Sequence, residues 1–157
     1  MCEHLFDGIQ GCYERAGDTR HLRLHADFHP SNVLVDSDVV HIVDLDDTRM
    51  GPAVQDLWMF LSGDRTEQTP QLEELLEGYS EFRDFDAREL NLIEALRTLR
   101  IMHYAAWLAR RWLDPAFQQA FPWFDSHRYW DDHVLALREQ AALMEEAPLA
   151  WNVSGNR

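Results

Sequence analysis

No lysine occurs anywhere in the 157 residues; all 14 basic side chains are arginine. An ammonium group is therefore unavailable for a Walker A phosphate loop, for a Schiff-base enzyme, or for the phosphate-contacting position of a kinase small lobe. Positive charge is scarce as a whole, since 28 acidic residues against 14 arginines give a formal net charge of −14. That balance excludes a broad basic face of the kind that grips nucleic acid. Cysteine is limited to Cys2 and Cys12, too few for a disulfide framework and not in a zinc-ligand spacing, which suits a reducing compartment. Long apolar runs are also missing. The most hydrophobic helical stretch, Ile101 to Leu113, is interrupted by His103, Arg110 and Arg111, and Met1-Cys2-Glu3-His4 offers neither a basic nor an apolar leader region. The expectation is a cytoplasmic protein with no membrane partner.

What is present suffices for a folded domain: 46% of the chain is hydrophobic, with no repeat or low-complexity tract to divide it. Leu5, Ile9, Cys12 and Tyr13 fall near helical spacing, which predicts a helix over 2–15 with Gly17 as its stop. The period then changes. Short aliphatic runs at 22–24, 33–35 and 39–43 read as strands, the last two joined by Asp36-Ser37-Asp38 as a hairpin. After Gly51-Pro52, helices are expected over 53–61, from Thr69-Pro70 to Phe82, from Asp86 with Glu89 as a capping box to about Trp112, and from Ser126 to about Glu146. Residues 151–157 read as a loose tail. The fold class is therefore α+β, mainly helical, with a small β-hairpin.

Chemistry-bearing residues concentrate between His25 and Asp56. His25-Ala26-Asp27-Phe28-His29-Pro30-Ser31-Asn32 places a carboxylate, two imidazoles and an amide in a loop between two apolar strands. Asp44, Asp46 and Asp47 follow the second strand of the hairpin, so the turn returns further carboxylates beside that loop. Asp36, Asp38, Asp44, Asp46 and Asp47 put five carboxylates within twelve residues with no arginine among them. Repulsion in such a group is relieved by a cation, and hard oxygen donors suit magnesium or manganese.

The order His25-x-Asp27-x-x-x-x-Asn32, followed by an aspartate at the end of the next hairpin, resembles the aminoglycoside phosphotransferase and choline kinase family, a branch of the kinase-like fold. The resemblance implies that His25 braces the loop, Asp27 is the catalytic base or orienter for an acceptor hydroxyl, Asn32 binds the metal, and Asp44 is the main ligand bridging the metal to the phosphates. Gly51-Pro52-Ala53-Val54-Gln55-Asp56-Leu57 is similar to the family segment in which an aspartate, here Asp56, braces the catalytic loop from behind. It implies ATP as co-substrate and Mg2+ or Mn2+ as cofactor. Val-Asp-Leu-Asp-Asp at 43–47, Ala-Trp-Leu-Ala-Arg-Arg-Trp at 106–112 and Asp-Pro-Ala-Phe at 114–117 look most like the cytoplasmic bacterial serine/threonine protein kinases with this fold. The acceptor implied is a protein hydroxyl. The family's ATP-clamping small lobe has no counterpart here, so residues 1–150 are expected to form a C-terminal catalytic lobe, inactive without the missing lobe in cis.

Other readings of the same residues stay open at this point. The acceptor could instead be a small molecule of aminoglycoside or choline type, or the lobe could be a non-catalytic binding module. His25, Asp27 and His29 could form a zinc hydrolase set, against which His29 as a loop-orienting residue is preferred. Asp46 and Asp47 could join the metal or merely occupy a solvated turn. Phe121, Trp123, Phe124, Tyr129 and Trp130 could line a cleft, although core packing is the commoner outcome for such a cluster. Arg110 and Arg111 could reach a phosphate or form a solvated helix face.

Overall fold

The computed structural model describes residues 2–151. They fall into two compact units, one formed by the described residues up to Glu14 together with Glu94–Ala147, the other by Arg15–Ile93 together with the described residues from Pro148 on. The architecture is α+β and mainly helical, as expected. Among the described residues no helix is long and apolar enough to cross a membrane.

The first unit is helical. Helix α1 (Cys2–Ala16) buries Leu5, Ile9 and Cys12, spaced so that they share one face. They form a core with Ala95 of α4 (Ile93–Arg111) and with Leu137 and Met144 of α6 (His127–Glu145). Thr98 lies inside this apolar set, fully buried, with its hydroxyl satisfied by the Glu94 carbonyl at 2.7 Å and facing Gln140 Oε1 at 3.2 Å. Ser126 caps α6 through the Tyr129 amide, as its position implied. Helix α5 (Pro115–Ala120), capped by Asp114, has only six residues and no periodicity of its own to announce it.

The second unit carries two antiparallel two-stranded sheets. Strand β2 (Val33–Asp36) pairs with β3 (Val39–Ile42) from Val33↔Ile42 to Asp36↔Val39, which is the expected hairpin. Strand β1 (Leu22–Leu24) pairs instead with β4 (Arg49–Gly51), a strand too short and too polar to read from the chain. The expected helix over 53–61 is a single turn, α2 (Val54–Leu57), tightened into a 3-10 turn over Trp58–Phe60.

Two helix starts differ from expectation. Helix α3 (Arg65–Ser80) begins before Thr69-Pro70, because Asp64 and Glu67 form a complete capping box and Pro70 forfeits only one internal bond. Asp86 does cap the next segment through the Arg88 amide, yet Ala87–Leu92 is a 3-10 stretch and α4 starts only at Ile93. Glu89 does not close a capping box there. Its carboxylate turns inward and accepts a hydrogen bond from the Val54 amide at 2.9 Å. Of the expected tail, Trp151 packs edge-on against Phe85, with ring centroids 5.7 Å apart, and 152–157 lie outside the described residues.

Candidate active site

The His25–Asn32 loop hangs from the end of β1 by a set of main-chain contacts. Both carboxylate oxygens of Asp56 on α2 accept backbone hydrogen bonds, from the His25 amide at 2.8 Å and the Ala26 amide at 2.7 Å. The fork matters because Ala26 has φ of +72°, a left-handed conformation that an alanine adopts at a cost of about 1 kcal/mol. Two charge-assisted bonds to adjacent amides offset that strain and set the direction in which the chain leaves β1. Asp56 thus holds the loop from behind, the position expected of it.

Further ties run from the loop to the mouth of the β2–β3 hairpin. The His25 ring lies with Nε2 2.8 Å from the Val43 carbonyl, so Nε2 donates, and its Nδ1 is buried without a partner. Phe28 packs on the His25 ring at 5.3 Å and on Phe60 at 5.0 Å, covering the loop's apolar side. Asn32 is buried. Its side-chain amide donates to the Asp27 carbonyl at 3.0 Å, and its own carbonyl accepts from the Val43 amide at 3.1 Å. Asp44 follows Val43 directly, with φ of +65° and an exposed side chain. Asp27, Asn32 and Asp44 are thereby brought to one end of the hairpin. His29 Nε2 stands 3.5 Å from Asp27 Oδ2, a distance that fits an orienting role for His29 in the loop.

Not all expected members join them. Asp36 and Asp38 sit at the hairpin's turn, three residue pairs from Val33↔Ile42, or roughly 10 Å along the strands. The five-carboxylate group is therefore not assembled; its sequence proximity is that of two opposite ends of one hairpin. Asp46 and Asp47 occupy an exposed turn closed by the Thr48 amide on the Leu45 carbonyl at 3.2 Å. Among the described residues, no three His, Cys, Asp or Glu side chains stand close enough together to hold a metal ion. That removes the His25, Asp27 and His29 zinc set, whose three side chains do not converge on one point. Asn32 and Asp44 carry oxygen donors at the same end of the hairpin. Such donors fit a magnesium ion, which fills the rest of its shell with water and phosphate oxygens.

The aromatic residues lie in the other unit. Phe124 is buried and meets Trp112, Tyr129 and Trp130 at 5.0 to 5.2 Å, while Trp123 and Trp130 keep about two fifths of their surface exposed. The cluster is a core with an open rim. Arg111 stacks over Trp107 at 4.6 Å, and Arg110 is exposed.

The geometry agrees with what comparison with known proteins finds. Residues 10–93, more than half of the chain and the whole loop and hairpin region, match the model of the phosphotransferase enzyme family. This chain belongs to the phosphotransferase enzyme family. Stress response kinase A of Escherichia coli (strain K12) is 52% identical over 128 residues, covering 82% of this chain and 39% of that protein. Stress response kinase A of Salmonella choleraesuis (strain SC-B67) and the serine/threonine protein kinase RdoA of Salmonella typhimurium (strain LT2) are each 46% identical over 145 residues, 92% of this chain and 43% of theirs. This phosphotransferase segment thus spans about two fifths of the length of the curated relatives it matches.

Asp56→Ala tests the bracing of this phosphotransferase loop. Two amides would lose their acceptor while Ala26 kept its strained φ, so a stability loss of about 2–4 kcal/mol is expected in urea unfolding. A midpoint unchanged from the parent would show that the fork carries no stability.

Proposed function

We propose that this segment is the catalytic-loop lobe of an ATP- and magnesium-dependent serine/threonine protein kinase, working in the cytoplasm. The single observation that carries the proposal is the clamp: Asp56 on His25 and Ala26, with Asn32 and Val43 joining the loop to the strand end that bears Asp44. In this reading Asp27 accepts or orients the proton of the attacking hydroxyl. Asn32, whose amide hydrogens are turned to Asp27, offers Oδ1 to a magnesium or manganese ion, and Asp44 offers its carboxylate. When bound, that ion neutralises charge on the transferring phosphoryl group. Phosphoryl transfer asks the protein mainly for positioning and electrostatics, so the rigidity of the clamp is the protein's contribution.

A second feature supports the lobe reading. Leu34, Val35, Val39, Val40 and Ile42 are each more than half exposed, so the hairpin presents an unusually bare aliphatic surface. We place the ATP adenine and the ATP-clamping lobe of the longer protein against it. The experiment is phosphate transfer from labelled ATP to serine- and threonine-containing protein, by this segment alone and with the small lobe in cis. Transfer is expected only from the longer protein. Transfer to an aminoglycoside-like or choline-like alcohol instead would reassign the acceptor, and no nucleotide turnover by the longer protein would leave a non-catalytic module.

A further inference from the structure

Helix α2 has an unusual start. Gly51-Pro52-Ala53 places a methyl group at the N-cap, so the cap residue has no side-chain acceptor for the helix's first amides. Ala53 and Val54 are buried, where an unsatisfied amide is costly. The acceptor comes from 35 residues along the chain: Glu89, only 2% exposed, takes the Val54 amide on Oε2 at 2.9 Å. Two residues beyond Val54 stands Asp56, whose two oxygens hold the His25 and Ala26 amides. A helix of one turn has too few internal bonds to fix its own direction, so its aim depends on what holds its first turn.

We infer that Glu89 is a positioning residue for the phosphoryl-transfer loop, acting through the start of α2 and the Asp56 fork. The inference rests on the proposed role of Asp27. A carboxylate is an expensive choice for this place. Burial raises the Glu89 pKa above the usual carboxylate range and Asp86 adds to the effect, while the Val54 and Ala53 amides and His21 oppose it. Arg20, Tyr79, Arg83, Asp84 and Asp86 line the adjoining cavity, with Asp86 itself paired to Arg88. With the folded pKa raised, the native state binds more protons than the unfolded chain across the window above the ordinary value of 4.5, so stability falls as pH rises through it. Stability alone would be served better by a neutral side chain. What the charge supplies is a charge-assisted hold on the Val54 amide, stronger than glutamine can offer.

The test is Glu89→Gln in the longer protein that carries the small lobe. Its melting temperature is expected to equal or exceed the parent's, while kcat falls roughly 10²-fold at unchanged KM for ATP, as for a loop displaced by a fraction of its working distance. Hydrogen exchange at the His25 and Ala26 amides is expected to accelerate while that of α6 does not. Glu89→Asp, which keeps the charge but shortens the reach, should show the same faster exchange and lower kcat. Normal kcat and normal exchange at His25 and Ala26 would overturn the inference. So would a melting temperature and a kcat that fall together with faster exchange throughout the chain, the mark of a merely structural residue. If Asp27→Asn itself kept full turnover, the functional reading would fail, and the exchange at His25 and Ala26 would still decide whether Glu89 sets the loop.

Discussion

Asp27→Asn is expected to lower turnover by roughly 10²- to 10⁴-fold while ATP binding persists, measured with an ATP-clamping lobe supplied in cis. The substitution is nearly isosteric, and the contact that orders Asp27 within the loop runs through its main-chain carbonyl to the Asn32 side chain. That bond survives, as do the Asp56 bonds to His25 and Ala26. What is lost is the carboxylate charge that would accept or orient the hydroxyl proton, and with it the 3.5 Å approach of His29 Nε2 to a carboxylate oxygen. Binding and chemistry therefore separate. Single-turnover kinetics report the chemistry and nucleotide calorimetry the binding; turnover at the parent's rate would remove Asp27 from the reaction.

Asp44→Asn should act on both at once. Asp44 holds φ of +65°, a region that asparagine tolerates and alanine enters only with strain, so asparagine removes the charge without disturbing the backbone. Metal-dependent nucleotide binding is expected to disappear and transfer to fall by about 10²- to 10³-fold, the scale on which loss of a preorganised electrostatic contact is felt. Calorimetry with ATP in the presence and absence of magnesium measures it directly. A variant whose ATP affinity still depended on magnesium as the parent's does would show that Asp44 is not a ligand.

The residue types along the chain determined a good deal before any coordinates. Periodicity placed α1, turn chemistry the hairpin and the Ser126 cap α6, because spacing, turns and caps are all written locally. The order His25, Asp27, Asn32, Asp44 and Asp56 marked the candidate site, since each residue lies at a strand end or beside a turn whose position is also local. Proximity in sequence misled for Asp36 and Asp38, which belong to the far end of the same hairpin. It misled for Glu89 too, three residues after a capping aspartate and so read as part of a local box. Only the tertiary structure turned that carboxylate toward α2, because the need it meets, the bare Val54 amide after Gly51-Pro52-Ala53, lies 35 residues away. The pairing of β4 with β1 and the left-handed Ala26 were decided in the same way. Each is unfavourable or featureless by itself and is stabilised by partners that only the folded chain brings within hydrogen-bonding reach.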